Sequence, residues 1–174
     1  MKRFRVSSMI LAILFVAGCC AGCVNQNDPG DVTSLPTTET AVITDKSGNT
    51  VAEENELDDI CLLSNKFEAD LFVSIHCDAV ESKSPNGTTT FVCKGCSNTS
   101  RKLAYAIQNQ IVNSMGTYDR GVREASYYVT RYTDCPAVLV EVGFLSNPSE
   151  EDLINQKYEE FAHAISRGIT DSLQ

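Results

Sequence analysis

Apolar residues along this chain recur in two rhythms, one with the short period of strands and one with the longer period of helices, and the two alternate. Ala41–Thr44 predicts a short strand, and residues 54–67 then place Leu57, Ile60, Cys61, Ser64 and Phe67 near helical spacing. In residues 69–76, Leu71, Phe72, Val73 and Ile75 are apolar on both faces, the pattern of a strand covered on both sides. Residues 88–93 predict the next strand, entered through the turn signal Pro85-Asn86-Gly87. Helical spacing returns over 101–115, with Leu103, Ala104, Ile107, Ile111 and Met115 on one stripe behind Ser and Asn capping candidates at 97–100. Residues 126–131 and 136–144 predict two further strands. Asn147-Pro148-Ser149-Glu150 supplies a cap, a first-turn proline and a glutamate at the third helical position. The terminal helix is expected to bury Tyr158, Phe161, Ala162, Ile165 and Ile169. Strands alternating with helices predict an α/β fold, a layered and mostly parallel sheet flanked by helices.

Two of the predicted strands are interrupted by a polar residue near the end. In LFVSIHCDAV, residues 71–80, it is His76, and in PAVLVEVGFLSN, residues 136–147, it is Glu141. A carboxylate among Val138, Leu139, Val140, Val142 and Phe144 must be paired, metal-bound or shifted in pKa. Ligands of open α/β sheets gather at the carboxyl ends of the strands, so a His and a Glu arriving there on separate strands could share one cleft. A neutral imidazole suits zinc, and a desolvated glutamate can take a proton from metal-bound water. The alternative is structural: a core histidine satisfied by a backbone carbonyl, and a glutamate paired with Arg123 or Arg131.

Length and charge narrow the field further. A chain of 174 residues that is 43% hydrophobic can bury one core, which argues for one domain with appendages. A net charge of -9 disfavours nucleic acid as a partner, because phosphate binding requires Lys and Arg to displace counterions. Residues 1–23 read as an export leader: Lys2, Arg3 and Arg5 are basic, and the apolar run over 9–17 is too short to span a bilayer comfortably. Val16-Ala17-Gly18-Cys19 resembles a bacterial lipobox, which implies lipidation of Cys19 and a membrane anchor; Cys20-Ala21-Gly22-Cys23 repeats the pattern just behind. An ordinary signal with incidental cysteines is the plainer alternative. Residues 24–41, rich in Asn, Asp, Pro, Gly, Ser and Thr, read as a flexible tether, which leaves 42–174 for the globular part. Beyond the leader stand Cys61, Cys77, Cys93, Cys96 and Cys135, an odd number for an exported chain. CKGC at 93–96, expected to end a strand and not to open a helix, argues weakly for zinc or redox chemistry and reads as a local disulfide or two thiols in a turn.

Four segments in order, ADLFVSIHCDA, NGTTTFV, RGVREASYYVTR and CPAVLVEVGFLSNPSEEDLI, resemble the zinc-dependent N-acetylmuramoyl-L-alanine amidases of the amidase-3 type over residues 66–174. The resemblance implies hydrolysis of the amide between the lactyl group of N-acetylmuramic acid and the first L-alanine of the peptidoglycan stem. It also implies zinc, with His76 of the SIH motif as a ligand and Glu141 of the VEVGF motif as the catalytic acid/base. Peptidoglycan would be the partner, met from the outer side of the membrane to which Cys19 anchors the chain. The sequence departs from the family where a DPGHGG-like block should supply a second histidine, followed by a glutamate. Asp28-Pro29-Gly30 is followed by Asp31 and reads as a chance echo, His163 lies off the apolar stripe of the last helix, and Glu53, Glu54 and Glu56 belong to no motif. The domain is therefore expected to lack its first strand–helix block and to bind zinc poorly. Three functions compete: a cell-wall hydrolase, a non-catalytic, degenerate amidase-like wall lipoprotein, and a thiol or metal protein built on Cys93 and Cys96.

Overall fold

Residue pairing between two long apolar strands organises the molecule. The computed structural model describes residues 10–13, 41–44, 50–54 and 57–174, with side chains described from Leu57 onward. In chain order the elements are β1 (Ile10–Ile13), β2 (Ala41–Thr44), β3 (Thr50–Glu54), α1 (Leu57–Lys66), β4 (Leu71–Asp78), β5 (Thr88–Val92), α2 (Asn98–Met115), β6 (Asp119–Glu124), α3 (Tyr128–Tyr132), β7 (Ala137–Phe144), α4 (Pro148–Gln156) and α5 (Tyr158–Ser172). The strands form one sheet in the order β3-β2-β1-β4-β7-β5-β6. Among the last four, β4 with β7 and β5 with β6 are parallel, and β5 with β7 is antiparallel. On the other side, β1 is parallel to β4 and antiparallel to β2. The result is the layered α/β sheet flanked by helices that the sequence predicts.

Because side chains alternate across a strand, β4 and β7 feed two separate cores. Leu71, Val73, Cys77, Val138, Val140 and Val142 face α2 and α5, and pack against Leu103, Ile107, Ile111, Phe161 and Ile165. Phe72, Ala137 and Leu139 face the other way and pack with Ile60, Cys61 and Leu63 of α1 and Val129 of α3. The helix α2 begins at Ser97, whose side chain accepts from the Ser100 N–H, and stops at Gly116 with φ 69°. It lies so close to α5 that a Cβ on Gly168 would stand 2.5 Å from the Ile107 Cα. Gln108, buried on the sheet side of α2, donates to the Thr88 carbonyl at 2.8 Å and accepts from Thr90 Oγ1 at 2.8 Å, tying the helix to β5.

Several expectations are corrected. Residues 126–131 do not form a strand: Tyr128–Tyr132 is a short helix, and the strand of this region is Asp119–Glu124. The β-branched and aromatic run SYYVTR mimics a strand, while β6 lies at the sheet edge, where its half-exposed RGVRE residues need no apolar alternation. The helix that starts at Pro148 ends at Gln156, and the terminal helix is α5. Tyr158 is 65% exposed and Ala162 is exposed, because the buried stripe of α5 runs through Phe161, Ala164, Ile165, Gly168 and Ile169. Cys93 and Cys96 do more than end a strand: Cys96 directly precedes Ser97, the cap of α2, so the CxxC joins β5 to a long helix. Apart from these corrections, Ile10–Ile13, which falls within the expected leader, is a strand beside Leu71–Ser74. The cysteines at 19, 20 and 23, Asp28-Pro29-Gly30, residues 24–40 of the expected tether and Glu56 lie outside the described residues. So do the side chains of Glu53 and Glu54.

Candidate functional site

His76 and Glu141 are direct partners in the register of β4 and β7. The pairing runs Phe72 with Ala137, Ser74 with Leu139 and His76 with Glu141, so the period of two puts both polar residues on the face that carries Phe72 and Leu139. They stand where that apolar face ends, on strands spaced about 4.8 Å apart. Both are half-buried, and the Glu141 Oε2 atom is shielded from solvent. Across the other edge of β7, Glu141 is opposite Thr89 of β5, with Phe91 opposite Leu139 on the same face. Three neighbouring strands therefore present His76, Glu141 and the buried Thr89 as one polar row above an apolar floor.

The His76 ring is oriented from within its own strand. Ser74, fully buried two residues earlier, places its Oγ 2.6 Å from Nε2. Ser74 and Thr89 carry no signal of their own in the sequence, although counting by two from His76 and from Phe91 reaches both.

The strand ends beside this row are held by side-chain bonds. Glu150, buried in the first turn of α4, accepts from the Gly87 N–H at 2.7 Å and from the Phe144 N–H at 2.8 Å, fastening the start of β5 to the end of β7. Gly87 has φ 102°, and a Cβ there would meet the Tyr118 carbonyl oxygen at 2.3 Å, so this turn accepts only glycine. The chain leaving β7 returns to β4 through Leu145 N–H to the Asp78 carbonyl at 2.8 Å and through Val80 N–H to Ser146 Oγ at 3.2 Å.

The described residues do not by themselves make a zinc site. Among them no group of three or more His, Cys, Asp and Glu side chains is placed to hold a metal. Cys77 is next to His76 in sequence but faces the opposite core, and His163 is an exposed residue of α5. What the row offers is a carboxylate and an imidazole side by side, at the margin of a dry face, able to hold and move a proton over a bound polar group.

Comparison with known proteins places this arrangement in a family. The model of the Amidase_3 family, described as N-acetylmuramoyl-L-alanine amidase, matches residues 33–171. The chain belongs to that family. Among curated proteins of Bacillus subtilis (strain 168), it is 41% identical over 104 residues to the uncharacterized protein YqiI, covering 59% of this chain and 50% of that protein. It is 43% identical over 91 residues to N-acetylmuramoyl-L-alanine amidase LytC, covering 51% of this chain and 18% of that protein. Among solved structures, the N-acetylmuramoyl-L-alanine amidase of Clostridium difficile 630 matches with a TM-score of 0.65 at 36% identity, covering 68% of this chain and 65% of that one. The chain thus spans half or less of the length of these curated relatives.

Proposed function

We propose that this protein is a peptidoglycan hydrolase that cleaves the amide between N-acetylmuramic acid and the L-alanine of the stem peptide. The observation that carries this reading is the pairing of His76 with Glu141 on one face of a sheet belonging to the amidase-3 family. Glu141 is the acid/base. It takes a proton from the water that attacks the lactyl carbonyl carbon and gives it to the alanine nitrogen as the C–N bond breaks, leaving a free lactyl carboxylate and a free amine. His76 stands across from it on the neighbouring strand, with its ring set by Ser74. Zinc enters this proposal only through His76, the one ligand position matched by motif. The further donors would have to come from outside the described residues, and the proton steps rest on Glu141.

The same proposal places the protein outside the membrane. Residues 1–23 act as an export leader and Cys19 carries a lipid anchor, supported by the basic start, the short apolar run and the lipobox-like Val16-Ala17-Gly18. Residues 24–41 then serve as the tether, and 42–174 as the domain that reaches the wall.

A second reading, a wall-binding protein without hydrolytic activity, is favoured by the lack of a three-donor cluster among the described residues. One experiment separates the two. The full chain is incubated with peptidoglycan, with and without added zinc, and released stem peptide is measured beside a Glu141→Gln variant. Release that drops by roughly 100-fold or more in the variant supports the hydrolase. Retention on peptidoglycan with no release from either protein supports the second reading.

A further inference from the structure

We propose that Cys93 and Cys96 form a thiol–disulfide exchange site that reacts with low-molecular-weight disulfides, independent of the His76–Glu141 row. The two cysteines bracket a turn closed by a hydrogen bond from the Cys96 N–H to the Cys93 carbonyl at 3.1 Å. A turn of this span holds its end Cα atoms within about 7 Å, the separation a disulfide bridges. Gly95 supplies the left-handed residue at φ 73° and has open space around it, so the turn is not wedged by neighbouring atoms. Both thiols are half-buried and unbridged, whereas Cys61 and Cys77 are buried in the two cores.

The position of the turn adds a second argument. Cys93 follows β5 and Cys96 precedes the cap of the 18-residue α2, so the pair sits at a strand–helix junction. Arg101, in the first turn of that helix, is engaged by Glu124, to which its Nη2 donates at 2.5 Å. A bridge here would close a ring of only four residues, and so short a loop removes little entropy from the unfolded chain. Stability is therefore a poor reason for this pair, and reversible chemistry is a better one, because a bridge between half-buried thiols in an open turn stays within reach of an external thiol.

The reaction balances as an exchange. One cysteine, as thiolate, attacks the external disulfide, forming a mixed disulfide and expelling one external thiolate. The second cysteine gives its proton to solvent and attacks the protein sulfur of that mixed bond, forming the Cys93–Cys96 bond and expelling the second external thiolate. The protein loses two electrons and the external disulfide becomes two thiols. Since β5 runs antiparallel to β7, Cys93 lies at the end of β5 away from Thr89 and Glu141, and exchange leaves the polar row untouched.

The test uses the full chain, reduced and then equilibrated with glutathione disulfide, alkylated, unfolded, alkylated with a second reagent and digested. The expected peptide containing residues 93–96 carries neither label and is lighter by two hydrogens, while Cys61 and Cys77 take the second label. In Cys93→Ser and Cys96→Ser the surviving cysteine should hold one glutathione and form no internal bridge. Both thiols remaining fully alkylatable after equilibration would overturn the proposal. So would separate glutathione adducts on both cysteines without a bridge, or a bridge from either of them to Cys135.

Discussion

Ser74 Oγ lies 2.6 Å from His76 Nε2, a contact between residues two apart on the same face of β4. A fully buried hydroxyl thus fixes an imidazole that is itself only half-buried. On the proposed reading, in which His76 is a zinc ligand, removing the partner that orients it costs about 10- to 100-fold in activity or affinity. Ser74→Ala is expected to reduce stem-peptide release by roughly tenfold or more while the far-ultraviolet spectrum stays unchanged. Ser74→Thr, which keeps the hydroxyl, should recover much of the rate, and an unaltered rate in Ser74→Ala would remove Ser74 from the site.

Gly168 governs the contact between α2 and α5. Its missing side chain lets the Ile107 backbone approach to where a Cβ would be only 2.5 Å from Cα and 2.8 Å from N. Backbone cannot swing aside as a side-chain tip can, so Gly168→Ala must part the helices. A loss of about 1–3 kcal/mol is expected, read as a lower urea midpoint with an unchanged slope.

Tyr128 of α3 donates a hydrogen bond to Asp58 of α1, and this bond is the main reason its phenol is pushed up to about 12, with burial and the Asp58 charge adding to it. Folding therefore favours the protonated phenol. The bond's contribution is complete below the ordinary tyrosine pKa of 10.0 and is lost as the pH rises through about 12. Difference absorbance during alkaline titration should show one tyrosine ionising late in the parent and at a lower pH in Asp58→Asn.

The proposed lipid on Cys19 is checked by growing cells with labelled palmitate. The parent chain should incorporate label and the Cys19→Ala variant should not. Equal labelling of the two would move the anchor to Cys20 or Cys23, or dispose of it. Processing at Cys19 would also remove Ile10–Ile13 from beside Leu71–Ser74, and the open edge of β4 should then show faster amide exchange in the mature chain than in the precursor.

Much of the sheet is legible in the sequence because its central strands are apolar on both faces. Leu71 to Val73 and Val138 to Val140 can be read as covered strands without further help, and that same apolar background makes His76 and Glu141 stand out. Edge structure is harder to read. β6 is half-exposed and charged, so its residues carry no period, while Tyr127 to Thr130 have strand propensity that packing against α1 overrides. Ser74 and Thr89 are silent in the sequence because small hydroxyl residues are common in strands and gain meaning only from the register that sets them beside His76 and Glu141. The helix beyond Cys96 is legible in its apolar stripe, but its start at Asn98 is fixed by the Ser97 cap, and with that start the CxxC changes from a strand end to a junction.

The strand order β4-β7-β5 has a consequence for when the protein can act. β7 is the last strand in the chain, yet it inserts between two that precede it. Until residues 137–144 have been made and threaded into place, His76 and Thr89 have nothing between them, and the carboxylate they flank is absent. Such non-local pairing is the slow part of folding. A nascent, stalled or clipped chain without this final insertion has no Glu141 opposite His76, so on the proposed reading the acid/base is in place only once the sheet is complete.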